Sequence, residues 1–262
     1  MSATTALGRT FSWQRCLGLA RFNLILMLRN RTTFIYGVLI PLLPLALLFA
    51  IDDLEASAAG PMIATAWLMA LLFPTYYNVL STFVARRDEL VLKRLRTGET
   101  TDAELVGSMA LPGALLSAVA AVLSVPIVLI AGQRFPLNPL SLLVGLAVAI
   151  ATFAAFAVWT ASWTKTAEAA QLTSAPVMVL AVAGSLAGAL PGLAGDLIGF
   201  TPGAAVIDLI NGSWMGVDVD GELSLSLADT FTAALSPLAV LIGWALLATI
   251  LARRSLRWEP RI

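Results

Sequence analysis

The segment "LNPLSLLVGLAVAIATFAAFAVWTASW" (residues 137–163) decides the fold, because its 27 residues contain no Asp, Glu, Lys or Arg. The hydrocarbon core of a bilayer is about 30 Å thick, and a helix needs about 20 apolar residues to cross it. The backbone groups of a lipid-embedded segment must be satisfied internally, and this run lacks the polar–apolar alternation of a barrel strand. The segment therefore predicts a transmembrane helix.

Five further segments have the same character, and the chain of 262 residues has a mean hydropathy of +0.88. Together with residues 137–163, they predict an all-α membrane protein with six transmembrane helices in one transmembrane domain spanning residues 1–262. The five segments are residues 34–51, 62–85, 105–132, 169–190 and 231–252. Several contain proline, which membrane helices tolerate as kinks or use as hinges, and both readings stay open.

The basic residues give the expected orientation. On a six-helix path, 15 of the 16 Lys and Arg residues fall on one side, and only Arg134 lies opposite. The positive-inside rule places that basic side, with both termini, in the cytoplasm, as in a multi-pass protein of the cell membrane. The other side carries acidic loops, with Asp52, Asp53 and Glu55 in the first and six further acidic residues between residues 191 and 230.

The first 33 residues predict a helix that lies on the membrane surface. Apolar residues recur at three- and four-residue steps from Trp13 to Leu28, and five arginines precede the first acidic residue, Asp52. Such a helix lies in the headgroup plane and favours anionic lipid. It acts either as an anchor or as an elbow that transmits motion into the first span.

The coupling loop, residues 86–104, follows the second predicted span, and "RRDELVLKRLRTGETTDAEL" (residues 86–105) holds ten charged side chains. Charges at the bilayer centre cost about 2.5–3.5 kcal/mol each, so this segment lies in the cytoplasm. Leucines among the charges predict a short helix that Gly98 ends, and Thr101 to Glu104 matches a capping box that starts the third span. We expect either a docking surface or a solvated connector.

The external segment of residues 191–230 predicts a re-entrant or interfacial helix before the last span. Thr201 and Pro202 match an N-cap with proline at the first helical position, and Asn211-Gly212 is expected to end the helix. This helix would either close the outer end of a pathway or remain a loop helix without a gating role. The candidate outer-gate residues are Pro202, Ile207 and Ile210.

Two quoted motifs, residues 86–105 and "TPGAAVIDLINGSW" (residues 201–214), resemble those of ABC-2 type permeases, the membrane subunits of ATP-binding-cassette exporters. The chain is most similar to the actinobacterial daunorubicin/doxorubicin-resistance permease branch. The resemblance implies a second permease protomer, in a homodimer, and two copies of a cytoplasmic ATPase subunit. ATP and Mg would bind that subunit, and this chain would hold no cofactor. The implied docking residues are Arg86, Asp88, Glu89, Leu90, Leu92, Lys93, Leu95 and Arg96, with the leucines as buried anchors.

The remaining candidates concern the pathway and packing. Tyr76, Tyr77, Asn78, Ser81 and Thr82 form a polar stripe that could line a pathway. Small residues at Ala181, Gly184 and Gly188 indicate helix packing, either within the chain or between protomers.

The chain has no His and no P-loop motif, so we expect neither an enzyme nor a nucleic-acid-binding protein. An ion-coupled secondary transporter and a non-transporting membrane scaffold remain the alternatives to an exporter of hydrophobic or amphipathic substrates.

Overall fold

The computed structural model describes residues 10–51, 56–97, 100–218 and 223–255. Within these ranges the regular secondary structure is helical, apart from an isolated antiparallel β-bridge between Val217 and Leu223, and turns and irregular segments connect the helices. The acidic residues expected in the first external loop, and Gly98, lie outside the described residues. The same holds for the side chains of Lys93 and Arg96.

Ten helices are labelled here in chain order. The helix predicted to lie on the membrane surface is α1 (Trp13–Arg29), and the first apolar helix is α2 (Ile35–Phe49). They are followed by α3 (Ala58–Asp88), α4 (Val91–Thr97), α5 (Asp102–Ile130) and α6 (Pro139–Trp163). The last four are α7 (Ala169–Ala187), α8 (Leu193–Gly199), α9 (Pro202–Met215) and α10 (Leu227–Ser255). A helical turn, Arg31–Phe34, joins α1 to α2.

Among the described residues, five helices are long and apolar enough to cross a membrane, namely α3, α5, α6, α7 and α10. The bent pair α8–α9, with an angle of 80°, brings the number to six if it counts as one span. The all-α membrane class is confirmed. The predicted first span corresponds to α2, which is a shorter apolar helix.

Prolines change the local geometry of two helices. Pro74 lies in a π-helical turn of α3 at Leu71–Tyr77, and Pro44 lies where α2 tightens into a 3₁₀-helix at Leu43–Phe49. A proline has no N–H, so the carbonyl four residues before it loses its usual helical donor. These departures from regular α-helical geometry agree with the expected kinks. Hinge motion at the prolines stays a prediction.

Side chains from neighbouring helices donate to two of the carbonyls whose usual i+4 backbone donor is replaced by a proline. Pro74 deprives the Ala70 carbonyl, and the Ser117 hydroxyl of α5 donates to it at 2.5 Å. Pro112 likewise deprives the Ser108 carbonyl, and the Asn23 amide of α1 donates to that oxygen at 2.8 Å. Membrane helices retain internal prolines by such substitutions. The two bonds also fix how α3 and α1 sit against α5.

The packing of the helices places α3 and α6 at the centre, because they are the most buried of the helices long enough to cross a membrane. Helix α10 runs along α6, and α1 runs along α5. Helix α9 packs against α10, α3 and α7, so most of its residues are buried. Phe153 and Phe156 of α6 and Trp214 of α9 are among the largest fully buried side chains.

The crossing of α7 and α9 uses the small residues that the sequence singled out. A Cβ on Gly203 of α9 would lie 1.7 Å from the Ala181 carbonyl oxygen, and one on Gly184 would lie 2.0 Å from the Ala204 nitrogen. The two backbones are therefore in direct contact, which larger residues would prevent. Ala181 and Gly184 serve packing within the chain here, while the surroundings of Gly188 lie outside the described residues.

Candidate functional site

The end of α3 and the start of α4 form an exposed turn at the basic end of the molecule. We call Asp88, Glu89 and Leu90 the acidic tip, and all three are exposed. Leu90 has a φ of 59°, a left-handed conformation that is uncommon for a leucine and holds the turn between the two helices. The tip presents two carboxylates and one apolar side chain to its surroundings.

The structure separates the three leucines that were expected to anchor a partner. Leu90 is 41% exposed, and Leu95 is half-buried. Leu92 is fully buried in the core of the chain itself, which corrects the expectation that it anchors a partner. It instead fixes α4 to the transmembrane helices.

Arg87 anchors the acidic tip from inside. Its side chain is fully buried, and its guanidinium donates to the carbonyl oxygens of Ala161 at 2.9 Å, Thr164 at 2.7 Å and Lys165 at 3.0 Å. These carbonyls belong to the C-terminal end of α6, where a helix leaves acceptors unpaired and favours a positive charge. Its Nε also lies 3.6 Å from a carboxylate oxygen of Asp88. Arg87 therefore connects the acidic tip to the end of α6.

The role of Arg87 was not predicted from the sequence, although a signal was present. Tyr76, Leu80 and Phe83 are fully buried and follow one another at four- and three-residue steps. The next step of four residues reaches Arg87, so the same helical stripe points it into the core. Arg86, by contrast, is half-buried.

Asn23 of α1 joins three helices. It is 8% exposed, and its side-chain amide donates to the Ser108 carbonyl of α5 while its side-chain oxygen accepts from Arg86 of α3 at 2.5 Å. We call Asn23, Arg86 and Ser108 the three-helix junction. The sequence analysis assigned α1 an apolar face that omits Asn23. The buried stripe is Cys16, Ala20, Asn23 and Met27, whereas Trp13, Leu17 and Leu28 are exposed.

A second contact holds the start of α1. The Glu104 carboxylate is fully buried, although it was expected only to complete a capping box. The capping box is present, since Thr101 accepts from the Glu104 N–H and donates its own N–H to the carboxylate. The same carboxylate accepts from the Ser12 N–H and pairs with Arg15 at 3.0 Å. We call Ser12, Arg15 and Glu104 the N-terminal latch.

Cys16 lies in the next turn after the latch residue Ser12. The cysteine is buried, and a Cβ on Gly107 of α5 would lie 3.2 Å from its sulfur. Burial, with a contribution from the negative charge of Glu104, raises the pKa of the Cys16 thiol. A thiol in this position reacts slowly, so Cys16 reports whether α1 is seated on α5.

A cavity of about 540 Å³ lies between α2, α3 and α7. Of the predicted polar stripe, Tyr77, Asn78 and Ser81 line this cavity, whereas Tyr76 and Thr82 do not. Tyr76 is fully buried, with its hydroxyl 3.2 Å from the Thr160 hydroxyl oxygen. The other lining residues are Asn30, Thr32, Tyr36, Gly37, Phe73, Pro74, Gln171, Ser174 and Met178. The described walls combine amides, hydroxyls and aromatic rings, which suits an amphipathic molecule.

The helix pair α8–α9 lies at the opposite end of the molecule. Thr201 caps α9 by accepting from the Ala204 N–H at 3.2 Å, and Pro202 takes the first position, as predicted. Pro202 and Ile210 are buried, and Ile207 is half-buried.

Asn211-Gly212 does not end α9, which corrects the predicted boundary. The helix continues through a π-helical turn to Met215 and ends at Gly216, which has a φ of 72°. Trp214 makes the extra turn possible because its indole N–H donates to the Arg134 carbonyl at 3.2 Å.

Comparisons with known proteins do not assign the chain to a group. No protein-family model matches the sequence, and no curated protein matches it significantly.

Proposed function

We propose that this chain is the transmembrane permease subunit of an ATP-driven exporter of ABC-2 type, moving a hydrophobic or amphipathic substrate out of the cell. A separate cytoplasmic ATPase subunit supplies the energy. The observation that carries the proposal is the acidic tip, exposed at its end and anchored to α6 by the fully buried Arg87. A solvated connector needs no such anchor, whereas a lever that receives force from a partner does.

Three further features support this function. The three-helix junction couples α1 and the end of α3 to α5, so a partner that pushes on either helix displaces both. The cavity between α2, α3 and α7 is large enough for a small amphipathic molecule, and it shares α3 with the three-helix junction. The 80° bend between α8 and α9 is compatible with a re-entrant element, which supports the outer lid of this proposal.

The proposed topology has six spans and cytoplasmic termini in the cell membrane, with α2 as the first span. Helix α2 and the preceding turn cover residues 31–49, and seven of these residues are in a 3₁₀-helix. A 3₁₀-helix rises about 2.0 Å per residue against 1.5 Å in an α-helix, so the segment reaches roughly 30 Å. That length matches the hydrocarbon core. A second copy of the chain completes the pathway in this proposal.

The test is export that depends on a cytoplasmic ATPase. The chain is co-expressed with an ATP-binding-cassette ATPase subunit from the same genome, and ATP-dependent uptake of a hydrophobic fluorescent dye is measured in inside-out vesicles. We expect Glu89→Lys at the tip to abolish ATP-dependent uptake while the chain still inserts in the membrane. Asp196→Lys, which reverses an exposed charge in α8, is the matched control and should retain uptake.

Two outcomes would contradict the proposal. Ion-gradient-driven uptake by the chain alone would identify a secondary transporter. Equal uptake by the Glu89→Lys and Asp196→Lys variants would show that the tip does not transmit force.

A further inference from the structure

A groove of about 580 Å³ lies between the start of α5, the middle of α6 and the last turns of α10. Its walls on α6 are Ala151, Ala154, Ala155 and Val158. The groove shares no helix with the cavity between α2, α3 and α7. The proposed transport function does not use it.

The depth and polarity of the groove fit a lipid chain. From Ala151 to Val158 the wall advances seven residues, which is about 10 Å along the helix. That distance lies within one leaflet, whose hydrocarbon part is about 15 Å deep. Thr249 is the one uncharged polar residue among the described lining residues. An apolar cavity of this kind takes an apolar occupant rather than water.

The mouth of the groove carries two opposite charges. Arg253 from the last turn of α10 and Asp102 from the first turn of α5 both line it, and both are exposed. Within the described ranges, Arg253 makes no hydrogen bond or ion pair. A guanidinium binds phosphate oxygens through two parallel N–H donors, and a carboxylate accepts from an ammonium group.

We propose that the groove binds one phospholipid with an ethanolamine headgroup. One acyl chain lies along the alanines of α6, the phosphate binds Arg253, and the ammonium donates to Asp102. A choline headgroup carries no N–H and cannot donate to Asp102, and a glycerol headgroup carries no positive charge. The two charges at the mouth therefore select the ethanolamine lipid over both alternatives.

The test is lipid retention by the purified full chain. The protein is incubated in detergent with equal amounts of phosphatidylethanolamine, phosphatidylglycerol and phosphatidylcholine of identical acyl chains, and bound lipids are counted by native mass spectrometry. Phosphatidylethanolamine adducts should dominate. Arg253→Gln should lower them about tenfold or more, because a charge-assisted hydrogen bond is lost. Asp102→Asn should equalise the ethanolamine and choline lipids, and Ala155→Phe should remove adducts by filling the groove.

Arg254→Gln is the matched control, because Arg254 is exposed next to Arg253 but does not line the groove. This variant should retain as much phosphatidylethanolamine as the wild-type protein. Equal retention by the Arg253→Gln and Arg254→Gln variants would overturn the proposal. So would phosphatidylglycerol retention equal to that of phosphatidylethanolamine. Cross-linking of two copies through Ala155→Cys in a Cys16→Ser background would show that a second copy, not a lipid, fills the groove.

Discussion

Replacing Asn23 by alanine tests whether α1 is held by the carbonyl that Pro112 leaves without a helical donor. The Asn23 amide donates to the Ser108 oxygen at 2.8 Å, and both residues are buried. Hydrogen bonds between membrane helices contribute about 0.6–1.7 kcal/mol, and an unsatisfied buried acceptor costs about 1–3 kcal/mol. We therefore expect Asn23→Ala to lower the free energy of unfolding by about 1–2 kcal/mol.

The second half of the experiment restores the missing donor. In Pro112→Ala the new backbone N–H can donate to the Ser108 carbonyl within α5, so that oxygen no longer depends on Asn23. The destabilisation by Asn23→Ala should then shrink by about 0.5–1 kcal/mol, which is the coupling expected of residues that share a partner. The contact with Arg86 accounts for the part that remains.

Unfolding is followed by titrating SDS into mixed micelles and recording the loss of helix contacts for the four proteins of this double-mutant cycle. Gln14→Ala is the control, because it removes the same carboxamide from an exposed position of α1. The reasoning is refuted if Asn23→Ala lowers the free energy of unfolding by the same amount with proline and with alanine at position 112. A cost no larger than that of Gln14→Ala would do the same.

Three further predictions use the same contacts. Arg87→Met should lower the free energy of unfolding by about 2–3 kcal/mol, because the α6 carbonyls lose a charged donor, and Arg87→Lys should have an intermediate effect. Equal stability of the wild type and both variants in SDS titration would contradict this prediction. Glu104→Gln should speed maleimide labelling of Cys16 several-fold at pH 8, because the latch loosens and the raised thiol pKa falls; an unchanged rate would argue against the latch. Ser117→Ala should lower the free energy of unfolding by about 1 kcal/mol, as measured by SDS unfolding. The loss should be smaller when Pro74→Ala supplies a backbone N–H for the Ala70 carbonyl.

Long apolar segments were predictable from the sequence because their signal is local. Five of the six predicted spans correspond to helices long and apolar enough to cross a membrane, and the capping box at Thr101 and the N-cap at Thr201 are both present. Each of these features depends on residues within a few positions of one another. The boundary at Asn211-Gly212 was wrong because Trp214 bonds to the distant Arg134 carbonyl.

The interior contacts of the site were not predictable in the same way. Sequence reasoning placed the charges of residues 86–96 on a surface, yet the side chain of Arg87 is fully buried. Its acceptors lie more than 70 residues away, at the end of α6. Asn23 was missed for a similar reason, since its role depends on a proline in another helix. A search for a polar side chain on a buried helical stripe would have indicated both residues.

The central claim is that the acidic tip faces the cytoplasm and receives an ATPase. It is tested most directly by labelling Glu89→Cys, in a Cys16→Ser background, with a membrane-impermeant maleimide. We predict labelling in inside-out vesicles, none in intact cells, and protection when the ATPase subunit is bound. Labelling in intact cells, or equal labelling with and without the bound ATPase, would contradict the account.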